Sequence, residues 1–225
     1  MPQAGIHSLV GMAVRKWTPR VEWLMLGIVL GNLFPDTDNL VVAIATVAKL
    51  PTEGIHRTFT HSLFTVVAIL AVFYLVAALT KKRRWLNFGI GMGVGVSMHI
   101  LLDLLLWFNG VALLWPIPSW VDLWSWYTPP VWLNNLLLTG EYLFFALYFI
   151  LLAALARRQK TDGEYQKTLL IWTIIQFVLF AVLTVLVFEM SKGFTTLNGL
   201  IYLLSLALAI GVTIRMRRTV ESSAA

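Results

Sequence analysis

The four histidines of this chain all lie within its first 99 residues, each close to a hydroxyl or acidic residue. The turn Asp36-Thr37-Asp38 holds two of only five aspartates, and a third, Asp103, follows His99 by four residues. A spacing of four places two side chains on one helix face, about one turn apart. His99 and Asp103 therefore suit two ligands of one ion, or a ligand and the carboxylate that orients it. Imidazole and carboxylate are ligand groups of zinc and neighbouring metals, so these residues predict a metal site.

The metal should be a divalent ion held by nitrogen and oxygen, because the chain has no cysteine. Zn²⁺ is the first expectation, as one or two ions, with Mn²⁺ or Fe²⁺ as alternatives. Asp38 and Asp103 are also candidates for the catalytic base. Arg57 is predicted either to clamp an anionic group such as phosphate or to pair with Asp36. The predicted metal ligands are His7, Asp36, Asp38, His56, His61, His99 and Asp103.

Each of these motifs also has a purely structural interpretation. His99 and Asp103 could form a buried hydrogen bond that locks two helices together. The Asp36-Thr37-Asp38 turn could simply end a helix, since aspartate is common at helix ends and turns. Thr60 is a candidate N-cap for a helix that begins at Ser62, which would put His61 in the first helical turn. Glu141, deep in an apolar stretch, is a functional candidate or the acceptor of a structural hydrogen bond.

The composition is typical of an integral membrane protein, with 59% apolar and 12% charged residues among 225. We expect an all-α, polytopic helix bundle with about five full spans, since a crossing needs about 20 residues. Shorter N-terminal segments should form partial or re-entrant helices, and Pro35 predicts a helix end at Phe34. The predicted spans are 62–80, 85–108, 131–156, 167–188 and 195–214, and the predicted short segments are 4–17, 21–34 and 39–50.

The basic residues predict how the chain is oriented in a plasma (inner) membrane. The net charge of +6 comes from clusters between apolar runs, which are typical of topology signals and anionic-lipid contacts rather than of nucleic-acid binding. Clusters at 81–84, 157–167 and 215–218 follow alternate spans, so the positive-inside rule places them and the C-terminus in the cytoplasm. His99 lies 14 residues past Trp85, about 21 Å along a helix. The metal site should therefore lie near the outer leaflet.

Two further features concern the organisation of the chain. Gly89, Gly91, Gly93 and Gly95 resemble a nucleotide loop, but they lie inside a predicted span and favour close helix packing. We expect residues 1–118 to form the membrane domain that bears the metal site. Residues 119–225 should supply accessory transmembrane helices of the same continuous membrane unit. The lipid bilayer is the one predicted macromolecular partner, and no oligomeric state is predicted.

The ordered motifs resemble those of the YdjM/YbcI-type membrane-bound, metal-dependent hydrolases, over residues 5–118. This family is in turn distantly similar to zinc-dependent phospholipases C, helical enzymes whose His and Asp side chains bind clustered zinc. The resemblance implies phosphoester cleavage. The matching elements are His7, Phe34-Pro35-Asp36-Thr37-Asp38, His56-Arg57-Thr58-Phe59-Thr60-His61-Ser62, His99 with Asp103, and Leu114-Trp115-Pro116.

Two functions of different classes follow. The first is a metal-dependent hydrolase that cleaves a phosphoester or lipid-linked substrate at the non-cytoplasmic leaflet. The second is a non-catalytic membrane protein that binds a metal or transports an ion. A transporter would favour ionisable groups spread through the membrane or repeated in the second half of the chain. That half has no histidine and only Glu141 and Glu189 in or beside its spans, which favours the enzyme.

Overall fold

The computed structural model describes residues 4–190 and 193–222 and shows an all-α membrane-type bundle, as predicted. Within these residues, five helices are long and apolar enough to cross a membrane. A short helix, α9, ends the described chain at Arg217–Glu221. The five long helices are α4 (Leu63–Thr80), α5 (Arg83–Leu106), α6 (Val131–Gln159), α7 (Gln166–Glu189) and α8 (Phe194–Arg215).

The N-terminal segments form short helices, which confirms their prediction as partial or re-entrant elements. Helix α1 (Ala4–Ala13) continues into a 3₁₀ turn. Helices α2 (Leu24–Leu33) and α3 (Asn39–Val47) are joined by a 3₁₀ turn over Pro35–Asp38 and are bent by 41°. The predicted helix end before Pro35 is confirmed. The bend places the aspartate-containing turn inside the bundle instead of at a loop tip.

Glycines bring α2 and α5 into backbone contact. A Cβ atom on Gly91 would overlap the carbonyl oxygen of Leu24, and one on Gly95 would overlap that of Ile28. Gly27 faces the same interface from the other side, with its added Cβ 3.0 Å from the Cα of Gly91. The predicted close packing by small residues is confirmed. It fixes the separation between α5, which carries His99 and Asp103, and α2, which leads into the Pro35–Asp38 turn.

Helix α6 forms the centre of the core. Its residues Phe145 and Phe149 are fully buried and belong to one apolar cluster with Val29 of α2 and Tyr202 of α8. The short helix α1 packs against both α6 and α2. Helix α4 lies at the outside of the bundle, where it packs on α5 and every one of its residues is at least partly exposed. The first and last thirds of the chain thus share one core.

A small hairpin lies in the connection between α5 and α6. Strands β1 (Val111–Ala112) and β2 (Trp120–Val121) pair antiparallel. The amide of Ala112 donates to the carbonyl of Arg57 at 2.9 Å, and the amide of Leu63 donates to the carbonyl of Leu113 at 2.9 Å. The hairpin therefore holds the preceding histidine-containing loop, residues 48–62, against the end of the bundle.

Charged residues are sorted between the two ends of the bundle. We call the first the basic end: a cavity of about 510 Å³ there is lined by Arg20, Arg84, Arg217 and Arg218. We call the opposite one the site end, which holds the Pro35–Asp38 turn, the loop 48–62 and the last turns of α5. At the basic end the Glu221 carboxylate accepts hydrogen bonds from the amides of Trp23 (2.8 Å) and Leu26 (2.7 Å). That contact joins the end of the chain to the start of α2.

Candidate metal centre

All seven predicted ligands meet at the site end. They come from α1, the Pro35–Asp38 turn, the loop 48–62 and α5, and six of them are at most 2% exposed. The exception is His56, whose side chain is 21% exposed. Their donor atoms form three overlapping groups, within each of which all ligand atoms lie within 4.8 Å of one another. The groups are His7 with His99 and Asp103, Asp36 with His61 and His99, and Asp38 with His56 and His61.

Two imidazole nitrogens face each other at the middle of the cluster. The Nε2 atoms of His61 and His99 are 3.2 Å apart, and they lie 3.4 Å and 3.7 Å from Asp103 Oδ2. On the other side of that carboxylate, His7 Nε2 is 3.2 Å from Asp103 Oδ1. The His7 ring stacks on His99 with 3.7 Å between ring centroids. Asp103 is thus the carboxylate that three imidazoles share.

The far side of each central ring is held by an oxygen. His99 Nδ1 lies 2.7 Å from the carbonyl of Asn32, and it must donate because a carbonyl only accepts. Neutral His99 therefore turns the lone pair of Nε2 into the cluster. His61 Nδ1 lies 3.4 Å from Asp38 Oδ2 and 3.0 Å from Thr60 Oγ1. Histidines that bind metals are oriented in this way, with the second ring nitrogen hydrogen-bonded to a carbonyl or carboxylate.

Asp38 organises the histidine-containing loop. Its carboxylate accepts from the amide of Arg57 at 3.2 Å and from Thr60 Oγ1 at 2.9 Å, and it lies 2.8 Å from His56 Nδ1. The prediction of Thr60 as the N-cap of α4 is wrong, because Thr60 donates to Asp38 instead. The N-cap is Ser62, whose Oγ accepts from the amide of Phe64. His61 consequently lies in a 3₁₀ turn before α4, where it can face α5.

Arg57 lies beside the cluster in an unusual backbone conformation. Its φ angle is +63°, a left-handed conformation that costs about 1–2 kcal/mol for a residue with a Cβ. The guanidinium is nearly fully buried, donates from NH1 to the carbonyl of Asn109 at 2.8 Å, and places NH2 3.5 Å from Asp103 Oδ2. Of the two predicted roles, an ion pair is present, and Asp103 is a partner in it.

The two loop histidines have opposite pKa shifts. Burial alone lowers the pKa of an imidazole, but the hydrogen bonds and charges of Asp103 and Asp38 overcome it and raise the pKa of His61 to about 9. Burial dominates at His56 and lowers its pKa despite the hydrogen bond to Asp38. A positive charge is therefore favoured between Asp38 and Asp103, at the place where the His61 ring lies.

The chemistry of the donor set fits a divalent metal. Two imidazole nitrogens with adjacent carboxylates and no thiolate suit Zn²⁺, Mn²⁺ or Fe²⁺. Among the described residues, His7 Nδ1 and His56 Nε2 are buried without a hydrogen-bond partner. Buried polar atoms seldom lack a partner in proteins, so two orphaned imidazole nitrogens around one cluster are consistent with further ligands. The buried His and Asp groups could hold a metal ion.

Several contacts of the site were not predicted from the sequence. Asn32 and Asn109 act through main-chain carbonyls, which any residue type supplies, so their sequence carries no signal. Tyr202 of α8 is buried near Asp36, although it comes from the half of the chain without motifs. Of the two roles predicted for Glu141, the structure shows the structural hydrogen bond, in which its Oε1 accepts from the amide of Gly5 at 2.7 Å. That hydrogen bond joins α6 to the helix that carries His7.

Comparison with known proteins identifies a family. The family model described as YdjM inner membrane protein matches residues 3–218. No curated protein and no solved structure matches significantly. The match includes every residue of the candidate centre and continues through α8, so it extends beyond the motifs at residues 5–118. The similarity to zinc-dependent phospholipases C is not among these findings.

Proposed function

This chain belongs to the YdjM inner membrane protein family, and we propose that it is a membrane-embedded, metal-dependent hydrolase. Its substrate is a phosphoester or another lipid-linked compound. The observation that carries the proposal is the pair of Nε2 atoms of His61 and His99, 3.2 Å apart beside Asp103. Each ring is held from behind by an oxygen acceptor, so both nitrogens are oriented before a metal binds.

The central ion would be held by His61, His99 and Asp103, with Asp36 and His7 at the edge of the same cluster. Zn²⁺ is the expected ion, and Mn²⁺ or Fe²⁺ would suit the same donors. Asp38 and His56 either orient His61 or contribute to a second ion, since they form a ligand group of their own with His61. When bound, such a metal would lower the pKa of a bound water towards ~7 and polarise the substrate's phosphoryl or acyl oxygen.

The protein's own side chains would position the substrate and handle charge. Arg57 is the buried cation of the centre and would hold an anionic oxygen of the substrate. Asp103 contacts Arg57 as well as the histidines, so it would set the position of both. Asp38 holds the amide of Arg57 and the ring of His61 through one carboxylate, and it is the second candidate for the proton-accepting group. Both carboxylates are expected to be essential.

The charge distribution supports an outer-leaflet location for the centre. The basic clusters predicted to be cytoplasmic lie at one end of the bundle, and the candidate centre lies at the other. By the positive-inside rule we place the C-terminal end in the cytoplasm and the centre at the non-cytoplasmic leaflet. Residues 1–118 carry the ligands, and residues 119–225 supply accessory helices that include Glu141 and Tyr202.

Metal content and turnover of the purified protein test this proposal together. We expect one or two equivalents of zinc, manganese or iron, lost in His99→Ala, and chelator-sensitive cleavage in a screen of phosphoesters and phospholipids. Arg57→Ala should depress turnover at least 100-fold at nearly full metal content, because a lost charged donor costs about 3 kcal/mol in the transition state. Arg218→Ala, at the basic end, is the matched control and should retain activity.

Each failure has a distinct meaning. Full metal occupancy in a His61→Ala, His99→Ala double variant would refute the ligand set. Folded, metal-loaded protein without turnover above the chelator control would refute the hydrolase and leave a metal-binding or ion-transport protein.

A further inference from the structure

A small cavity adjoins the candidate centre between the end of α5 and the start of α6. Its volume is about 60 Å³, and Arg57 is the residue that it shares with the centre. Two polar atoms of its lining residues are notable: Arg57 Nε and Trp107 Nε1 are buried and have no hydrogen-bond partner among the described residues. The residues that line it are Arg57, Trp107, Phe108, Asn109, Asn134 and Leu137.

Both of these unpaired nitrogen atoms need a hydrogen-bond acceptor as their partner. A guanidinium N–H and an indole N–H can only donate, so an acceptor must satisfy both. Arg57 is 2% exposed and Trp107 is 5% exposed, which excludes bulk solvent as the ordinary source of that acceptor. The carbonyl of Asn109 already accepts from NH1 of Arg57. A charged arginine beside a second donor, in a cavity walled by Phe108 and Leu137, favours an anionic acceptor.

We propose that this cavity is an oxyanion subsite that binds one phosphoryl group of the substrate, with Arg57 Nε and Trp107 Nε1 as its donors. The inference rests on the proposed function and names where the anionic part of the substrate would lie. Arg57 NH2 is 3.5 Å from Asp103 Oδ2, so a group bound to Nε lies next to the metal ligands.

The size of the cavity limits what can enter. A cavity needs about 10–15 Å³ to hold one water, so this cavity has room for a few waters or one tetrahedral oxyanion. A complete lipid headgroup or an acyl chain does not fit. The rest of the substrate must therefore extend outside the cavity, so a terminal phosphoryl group, as in a phosphate monoester, is the class that fits.

Phosphate binding to zinc-loaded protein, measured by equilibrium dialysis without any turnover, tests the subsite. Trp107→Phe removes the N–H and keeps an aromatic ring, and it should weaken binding of inorganic phosphate about tenfold or more at unchanged zinc content. The control is Trp124→Phe, which removes an indole N–H that donates to the carbonyl of Leu105 outside the cavity. That control should bind phosphate like the wild type.

A second pair of variants guards against misfolding of Trp107→Phe. Asn134 lines the cavity and its neighbour Asn135 does not, yet both lie in the first turns of α6. Asn134→Asp should abolish phosphate binding through charge repulsion, whereas Asn135→Asp should change it less than threefold. Competition by a soluble short-chain phosphatidic acid would identify a lipid phosphomonoester as the source of the group, and its failure would point to free phosphate.

Two outcomes would overturn the subsite: equal phosphate affinity of Trp107→Phe and wild type, or no phosphate binding by zinc-loaded wild type, as expected of a cavity that holds only water. Neither outcome depends on catalysis. Conversely, phosphate binding that is sensitive to Trp107 and Asn134 in a protein without turnover would support the subsite while refuting the hydrolase.

Discussion

The site end and the basic end of the bundle both carry charged side chains, but the ion pairs of the two ends differ in how far they are exposed to water. At the site end Asp38, Asp103 and Arg57 are at most 2% exposed and contact one another through histidines and main-chain amides. At the basic end the ion pair of Arg84 and Glu22 spans 3.8 Å, and its side chains are 37% and 64% exposed. The charges of the candidate metal centre are removed from water, whereas this ion pair of the basic end remains in contact with it.

This difference shows which charged residues need a functional explanation. Burying a charge costs several kcal/mol unless partners compensate, and even a paired buried charge is often no more stable than an apolar replacement. A cluster such as that around Asp103 is therefore weak evidence for stability and better evidence for a bound ion. Exposed arginines at a membrane surface cost little and are explained by topology alone. Burial and pairing, rather than residue type, distinguish the two ends.

The largest expected effect comes from Asp103→Asn, which keeps the size of the side chain and removes its charge. Three imidazoles and Arg57 face this carboxylate. We expect nearly complete loss of bound metal, measured by elemental analysis. We also expect a destabilisation of about 3–5 kcal/mol, the usual cost of leaving a buried charge without its partner. Wild-type metal content in a folded Asp103→Asn protein would contradict the central place given to this residue.

A smaller effect is expected from the scaffold beneath the site. Gly91→Ala places a methyl group against the main chain of α2, which cannot move aside as a side chain could. We expect a loss of about 1–3 kcal/mol in thermal unfolding and weaker metal binding, because α2 carries Asn32 and α5 carries His99. The matched control is Gly211→Ala in α8, where a Cβ meets no atom within 4 Å. It should be neutral or stabilising by up to about 1 kcal/mol.

Equal unfolding temperatures and equal metal affinities for Gly91→Ala and Gly211→Ala would show that the close approach of α2 and α5 does not position the site. Weakened metal binding at an unchanged unfolding temperature would instead show that the glycine contact positions the site end without contributing to the stability of the bundle.

The fold was largely predictable because its signals are local. The long apolar runs predicted the five spans. Pro35 predicted that α2 ends just before it, at Phe34. The hairpin at Val111–Ala112 and Trp120–Val121 was not predicted, since two-residue strands in a tryptophan-rich connection leave no clear alternation. Its pairing depends on the main chain of Arg57 and Leu113, which only the folded chain brings near.

The residues of the candidate site could be predicted from the sequence, but the contacts among them could not. Histidine and aspartate are rare enough here that their positions alone identified the seven residues that the structure brings together. The arrangement depends on contacts without a residue signature, such as the carbonyl of Asn32 behind His99. Thr60 shows the same limit: its spacing suited a helix cap, but tertiary packing put Asp38 within reach of its hydroxyl. Nothing in the sequence singles out Trp107, which lies among apolar residues. Only the folded structure shows that its indole N–H is buried without an acceptor.

The smallest effect is expected from Glu22→Gln, which makes the same carboxylate-to-amide change at the basic end. Glu22 is 64% exposed, and its ion pair with Arg84 is screened by water and salt. Exposed pairs contribute about 0–1 kcal/mol, so the unfolding temperature should shift by at most a few degrees and metal content should not change. The residual shift should shrink further between 0.05 and 0.5 M salt, because the Debye length falls over that range to about 4 Å. The Asn87 side chain donates to the main-chain carbonyl of Glu22, so this contact survives the substitution. A loss comparable to that of Asp103→Asn would mean that the basic end also depends on its charges for stability, and the contrast between the two ends would fail.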